Sequence, residues 1–495
     1  MNKVLLGAND KKQYIYTNML NRHGLIAGAT GTGKTITLKV IAEQLSDLGI
    51  PVFLSDVKGD LASLSKQGEM DDKLLDRIKK LELEDFDFDK YPVEFWDIFE
   101  KSGLPVRATI SQMGPMMLSR LLGLNDTQQG IMNIVFKVAD DNGLLLLDLK
   151  DLKAVLSYVN DHRKELQNDY GNISTSSVGA ILRSLLLLET EGAEDFFAEP
   201  SLDVLDFLRT DKDGKGIVNI LSAEKLFKSP KLYSTFLLWM LTEIYESLEE
   251  VGDLDQPKFV FFFDEAHLIF DDAPKALLGK IELIVRLIRS KGVGVFFITQ
   301  NPTDIPDTVL AQLGNRVQHA LRAYTPKEKK VIKAVSETFR QREDEDLESQ
   351  IMELSVGEAI VSTLDPEGIP SYACRILICP PKSAFGTIEA SERLGIINSS
   401  NLFEKYSQRI DSESAYELLQ LKAQKSELSE DDDEINKKME ELKKREKELI
   451  EKQKSKSTGR RTDSNFDRFT KNMMSTVGRE FGRVLFRGIF GNLKK

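Results

Sequence analysis

From the N-terminus to about residue 380, short apolar runs alternate with helix-period patterns. The clearest runs are 24–28, 51–56, 216–221, 259–264, 294–299 and 316–321. They are nearly continuous in Val, Ile, Leu and Phe instead of alternating with polar residues. That pattern marks strands covered on both faces, as in a parallel sheet. Helical patterns fit between them, over 34–48 and 275–290. Two further runs, 357–364 and 371–379, are expected to close the sheet at an edge. The prediction is an α/β fold with a mainly parallel sheet.

Residues 74–215 interrupt this rhythm. Leucine-rich helical patterns recur at 116–122, 129–139, 152–160 and 178–188. The stretch reads as a mostly helical insertion, because strand patterns resume beyond it; an independent helical domain is the other reading. The predicted organisation is a first part of the core over 1–73, the insertion over 74–215, the rest of the core over 216–380, a charged helical or flexible linker over 381–456, and a basic tail over 457–495.

The C-terminal segments have their own patterns. Ile435, Met439, Leu442 and Leu449 follow heptad-like spacing inside a block of mixed charge, for two heptads only. Both a solvated helix and a flexible linker fit. Further on, Val477, Phe481, Leu485, Ile489 and Leu493 recur every four residues. Arg479, Arg483 and Arg487 are offset by two, about 200° around a helix. This predicts a basic amphipathic helix. Its apolar face could dock on the chain itself or on a neighbouring subunit, lie on an anionic membrane, or leave the arginines for a nucleic-acid backbone.

Composition narrows the function classes. The chain has 495 residues, 41% of them hydrophobic and 29% charged, enough for a large core without disulfides. No apolar run approaches the ~20 residues of a membrane span, and no signal-peptide core is present. Cys374 and Cys379 cannot form a disulfide framework, so a reducing cytoplasm is the expected location. The net charge is −12, but residues 454–495 carry +8 and the rest −20. A uniformly basic nucleic-acid binder is thereby excluded, and the tail is set apart.

Candidate chemistry begins at Gly28-Ala29-Thr30-Gly31-Thr32-Gly33-Lys34-Thr35, a phosphate-binding loop pattern between a predicted strand and a predicted helix. Its glycines let the backbone approach phosphates, and its N–H groups form an anion cradle at the helix N-terminus. Lys34 is placed for the β- and γ-phosphates, and the Thr35 hydroxyl for Mg²⁺. The run 259–263 ends in Asp264-Glu265, a Walker B arrangement. Asp264 would hold Mg²⁺ through its water shell, and Glu265 would orient or deprotonate an attacking water. His267 lacks a second His or Cys at ligand spacing and reads as structural. The run 294–299 ends in Gln300, which can sense the γ-phosphate if its strand adjoins either motif. ATP and Mg²⁺ are the implied cofactors.

In combination these motifs resemble the HerA/FtsK superfamily of RecA-like motors. The segments 53–60 (Phe-Leu-Ser-Asp-Val-Lys-Gly-Asp), 263–267 and 313–321 are similar to its HerA-like bacterial branch. The resemblance implies a RecA-like core, ATP hydrolysis and a ring of subunits, six in number. It also implies translocation of nucleic acid, with DNA favoured. HerA proteins usually carry a β-barrel ahead of the motor, for which the residues before Gly28 are too few. By the same resemblance one subunit lends an arginine to its neighbour's site. Arg289 matches that position, Arg22 is a second candidate, and Arg316 and Arg322 follow. Arg289 could equally cap its own helix. The residues alone leave open an ATPase that acts on a protein partner or a membrane assembly, and a nucleotide-switched scaffold.

Overall fold

A computed structural model describes residues 2–427 apart from 272–274 and 344. Residues up to 412 form one compact unit built on a twelve-stranded sheet. The strands are β1 (Lys3–Ala8), β2 (Lys12–Tyr16), β3 (Gly24–Ala27), β4 (Val52–Asp56), β5 (Val93–Asp97), β6 (Leu104–Pro105), β7 (Val218–Ser222), β8 (Phe259–Phe263), β9 (Val293–Thr299), β10 (Asn315–Gln318), β11 (Glu358–Ser362) and β12 (Cys374–Ile378). Their order across the sheet is β2-β1-β12-β11-β10-β3-β9-β8-β4-β7-β5-β6. From β10 to β6 all pairings are parallel. From β10 to β2 all are antiparallel.

The parallel strands that read as continuous apolar runs are buried throughout. Every residue of β3, β4, β8 and β9 is buried. Aromatic rings fill the layer between strands and helices. Phe53 stacks on Phe261 at 4.6 Å and Phe263 on Phe297 at 5.4 Å between centroids. The α/β expectation therefore holds, with strand ends within a few residues of those read from the pattern.

Three expectations change. β11 and β12 do not close the sheet, because the hairpin β1–β2 pairs beyond them, with Gly7 opposite Ile378 and Ala8 opposite Leu377. The stretch 74–215 is not solely a helical insertion: after helix Asp72–Lys80 it contributes β5 and β6 to the sheet, β5 pairing with β7 and β6 with β5. The helices follow at Ile110–Leu121, Asp126–Asn142, Leu149–Asp161, Arg163–Tyr170 and Thr175–Thr190. Thr109, Asn125 and Asp148 start three of these with reciprocal capping boxes. Residues 381–412 are part of the core and not a linker. The Arg393 guanidinium lies 4.4 Å over the Phe95 ring, and buried Tyr406 packs edge-on against Trp96. Fully buried Arg107 donates to the Tyr406 carbonyl at 2.9 Å and pairs with Glu100.

In the second unit, helix Ala415–Glu427 is the described element. The heptad-like segment and the basic amphipathic helix lie outside the described residues. No helix among the described residues is long and apolar enough to cross a membrane.

One side chain joins β5 to the core. Asn219 of β7 is fully buried; its Nδ2 donates to the carbonyls of Val52 and Phe207, both at 3.1 Å, and its Oδ1 accepts from the Trp96 indole at 3.1 Å. An alanine there would strand the indole N–H and two carbonyls in an apolar layer. We expect Asn219→Ala to lower the unfolding free energy by about 3 kcal/mol, the scale of buried unpaired groups, measurable as a shift of the denaturant midpoint.

Candidate nucleotide site

Strands β3, β9 and β8 lie side by side, so their C-terminal ends share one edge of the sheet. The glycine-rich loop leaves β3 at that edge. Gly28 N–H donates to the Thr299 carbonyl of β9 at 3.2 Å, and Ala29 N–H to the Ala320 carbonyl beyond β10 at 2.9 Å. These bonds fix both flanks of the loop before it turns. Gly33 then adopts φ +114° and starts helix Lys34–Asp47. A β-carbon at Gly28 would stand 2.5 Å from the His319 β-carbon, and the φ of +151° there also favours glycine.

Lys34 folds back over its own loop. Its Nζ donates to the carbonyls of Gly28 at 2.6 Å and Ala29 at 3.1 Å. Burial lowers its pKa, while the nearby Glu265 and Asp264 oppose that shift. Thr35 opens the helix beside it. Ala29, Gly31 and Thr32 complete the loop, and the Thr32 hydroxyl donates to the Ala29 carbonyl at 2.7 Å.

Asp264 and Glu265 follow β8 at the same edge. Asp264 Oδ1 accepts the Glu265 N–H at 2.9 Å. Burial, reinforced by the adjacent Glu265 charge, pushes the Asp264 carboxyl up to about 7. Glu265 sits at φ +48°, a left-handed conformation that strains a non-glycine residue and turns its side chain out of the strand. Gln300, past β9, lies between the two motifs. Its Nε2 donates to Glu265 Oε1 at 3.1 Å and Oε2 at 3.4 Å, and its Oε1 accepts from the Thr30 hydroxyl at 3.2 Å. The side chains read from three separate motifs thus form one connected chain.

A closed ring of hydrogen bonds supports Asp264 from beneath. A carbonyl only accepts, so the Tyr233 hydroxyl must donate to the Asp264 carbonyl at 2.8 Å. The Ser55 hydroxyl then donates to Tyr233 at 2.8 Å and accepts the Asp264 N–H at 3.3 Å. Asp56, next to Ser55, accepts the N–H groups of Gly59, Leu61 and Ala62 at 2.7, 3.1 and 3.2 Å. That turn carries the exposed Lys58, which electrostatically opposes Lys34 and favours the charged form of Asp264.

No group of three or more His, Cys, Asp or Glu side chains among the described residues could hold a metal ion alone. The donors present are the Thr35 hydroxyl and the buried Asp264 carboxyl, whose burial Lys34 and Lys58 only partly offset. Such a set fits Mg²⁺, which keeps several waters and takes phosphate oxygens as further ligands. His267 Nδ1 stands 3.5 Å from Glu265 Oε2 and belongs to no metal cluster.

The arginine candidates divide by place. Arg289 lies just ahead of β9, at the sheet edge opposite Glu265 and Gln300, and donates to Asp253 at 2.9 Å. Arg22 joins the same cluster; burial lowers its pKa first, and the Arg289 charge adds to that. Arg316 donates to the carbonyls of Leu313, Thr338 and Leu310, and Arg322 to those of Met352 and Leu354. Both are committed to their own backbone, which their position in the sequence does not disclose.

Sequence reasoning missed His319 as an individual residue. It is fully buried under the loop; its Nδ1–H donates to the Glu358 carbonyl at 2.9 Å, so Nε2 accepts the Thr37 hydroxyl at 2.8 Å. It joins the loop helix to β11. The segment 313–321 contained it, but a single histidine in a strand–loop transition reads as core.

The family described as helicase HerA-like C-terminal matches residues 2–495. Similar curated proteins include the DNA double-strand break repair helicase HerA of Sulfurisphaera tokodaii, 24% identical over 369 residues, 72% of this chain and 65% of that protein. Its counterpart in Saccharolobus solfataricus is 24% identical over 366 residues, 72% and 64% of the two chains. The chain therefore spans slightly less than two thirds of these relatives. Among solved structures, the plasmid coupling protein TrwB in complex with the ATP analogue ADPNP superposes with a TM-score of 0.50. It is 16% identical, and the match covers 78% of this chain and 97% of that one. That likeness concerns the fold.

Burial pushes the His319 imidazole down to about 4 from an ordinary value of 6.5. The unfolded chain therefore binds the proton first as pH falls. The stability His319 contributes is complete above about pH 6.5 and is lost towards pH 4. His319→Gln should destabilise the protein at neutral pH, and its deficit against the wild type should shrink by on the order of 3 kcal/mol towards pH 4. Chemical denaturation of both proteins across that range checks this. A constant deficit would contradict a neutral, buried imidazole.

Proposed function

The chain belongs to the helicase HerA-like C-terminal family, and on that premise we propose that it is an ATP-driven ring motor that hydrolyses ATP with Mg²⁺ to move nucleic acid, DNA being the favoured polymer. The observation that carries the reading is the bridge of Gln300 between Thr30 of the glycine-rich loop and the Glu265 carboxylate. A loop that only bound phosphate would need no such bridge to a carboxylate positioned as a base.

In this reading the Lys34 ammonium exchanges the Gly28 and Ala29 carbonyls for β- and γ-phosphate oxygens. The N–H groups of 31–35 receive the phosphates at the helix N-terminus. Thr35 and, through water, Asp264 would hold Mg²⁺, which would supply charge neutralisation for the phosphates. Glu265 accepts a proton from water as the water oxygen bonds to the γ-phosphorus. The bond to the β-phosphate oxygen breaks, and ADP and phosphate leave. Gln300 exchanges Glu265 for the water or the γ-phosphate, which makes it a sensor of the nucleotide's state.

Arg289 and Arg22 stand on the opposite edge from their own chain's Glu265. An arginine there can complete a site only on a neighbouring subunit, which supports a ring, six-membered by the family resemblance. The planar guanidinium suits two phosphate oxygens, and Asp253 holds it in the absence of a neighbour.

Lys34→Ala should abolish tight ATP binding while leaving the melting transition in place; binding of a fluorescent ATP analogue reads this. Glu265→Gln should retain binding and lose roughly 10²-fold or more in turnover, the scale for a positioned base. Wild-type turnover in either variant would remove the site assignment. The ring is tested separately: mixing inactive Arg289→Ala and Glu265→Gln proteins should recover activity, because some interfaces then hold both intact residues. No recovery in verified mixed rings would refute an Arg289 acting in trans. ATP turnover with single-stranded DNA, double-stranded DNA and RNA at two salt concentrations tests the polymer.

A further inference from the structure

Helix Pro326–Glu337 carries a face that the nucleotide site does not use. Ile332, Val335 and Ser336 form its buried side. The other side presents Lys327, Lys329, Lys330 and Lys333, all exposed. Lys327 and Lys330 are three apart and Lys329 and Lys333 four apart, so the ammonium groups form two adjoining ridges. They cover about 9 Å of helix axis, the rise of roughly two to three base pairs. Among the described residues, none of these lysines is ion-paired. Tyr324, 87% exposed, stands at the head of the helix.

The nearby acids do not neutralise this face. Glu328 is used internally, accepting the N–H groups of Tyr324 and Thr325 at 2.7 and 2.8 Å as part of the helix cap. Glu345 pairs with Arg342. Asp346 caps helix Leu347–Glu353 through the Ser349 N–H and hydroxyl. Glu337 shares the exposed face at its far end, and Glu343 lies beyond it. On a body carrying a net −20 outside the basic tail, four adjacent unpaired lysines stand out against the surrounding charge.

This helix is also joined to the glycine-rich loop. It packs into a small core of its own, in which Ile332, Val335 and Phe339 meet Leu347, Ile351, Leu354 and Ile360. Arg322 holds the C-terminal end of helix Leu347–Glu353 by the carbonyls of Met352 and Leu354. Three residues further, the Gly357 N–H donates to the Thr32 carbonyl of the loop at 3.1 Å. A displacement of the lysine-bearing unit therefore meets the nucleotide loop through this bond and through the Ala29 N–H bond to Ala320 of the same small core.

We propose that the lysine face of helix Pro326–Glu337, headed by Tyr324, is a contact surface for a nucleic-acid backbone. The proposal rests on the nucleic-acid reading above and adds where the polymer is held. Ammonium groups on two ridges suit phosphates as point charges, and an exposed ring beside them can stack on a base or sugar. Contacts of this kind supply affinity without sequence preference and make it depend steeply on salt.

The test is binding of a labelled DNA duplex, and of the matching single strand, to the full-length protein over a salt series, read by fluorescence anisotropy. Changing Lys327, Lys329, Lys330 and Lys333 together to Gln should weaken binding at least ~10-fold. It should also reduce the slope of log affinity against log salt by roughly two to four. The same lysines changed to Arg should keep both. A control variant with the exposed Lys73, Lys79, Lys212 and Lys228 changed to Gln alters net charge equally and should bind like the wild type. Melting curves identify any variant that fails to fold, and the arginine set then decides through its retained or lost binding. Wild-type binding by the glutamine set would overturn the surface while leaving the nucleic-acid reading standing. Equal weakening in the control would also overturn it, assigning the effect to net charge. If the wild type itself shows no salt-dependent binding, the nucleic-acid reading falls and this proposal with it.

Discussion

The pairing of β9 with β3 on one side and β8 on the other governs the site. Thr299 lies opposite Ala27, and Phe297 opposite Phe263. With that register, the glycine-rich loop, Asp264-Glu265 and Gln300 all emerge at one edge. None of these strands can shift by one residue without turning its buried side chains to the other face. Because both faces are covered by helices, no face tolerates the exchange. Packing thus sets the relative positions of groups that come from residues 28, 264 and 300.

The charges at this edge are costly to hold. Asp264 and Asp56 are both raised by burial, Asp264 to about 7 and Asp56 to about 6, and each is raised further by a neighbouring acid. Lys34 is lowered by the same burial. Fixed N–H donors hold the carboxyl groups, and the ring through Ser55 and Tyr233 holds the Asp264 backbone, despite that cost. An active site that stores unfavourable electrostatics in a rigid frame is suited to bind compensating charge on arrival. The cationic loop and the acidic strand ends lie at the same edge, so phosphates and a divalent ion arriving together would neutralise both.

Legibility in the sequence followed burial. β3, β4, β8 and β9 could be read because strands covered on both faces are continuous apolar runs. The hairpin β1–β2 was not read: Lys12, Gln13 and Tyr14 are polar or half-buried, as befits a strand at the sheet's margin. β5 was hidden because Val93–Asp97 follows a strongly acidic stretch and contains Glu94, a buried acid that pairs with Arg209. The segment 381–412 looked like a linker since its anchors are single residues, Arg393 and Tyr406, and not a periodic pattern. The chemical motifs were legible as residue types. The bridge from Gln300 to Thr30 and the wedge of His319 against Thr37 join residues hundreds of positions apart, and the backbone bonds that occupy Arg316 and Arg322 depend on how the chain folds back on itself.

The order of the sheet also bears on how the chain is made. β3 and its glycine-rich loop leave the ribosome well before the two strands that lie beside β3, because β9 and β10 come nearly three hundred residues later. β1 likewise waits for β12. During synthesis the apolar runs of β3 and β4 therefore spend a long interval without their neighbours, and early association can only be local. Such a chain has high contact order and a long window in which unpaired strands are open to aggregation. Its nascent form is a natural client for chaperones that shield apolar segments, and truncated products ending before residue 293 would lack Gln300 and both strands that flank the glycine-rich loop.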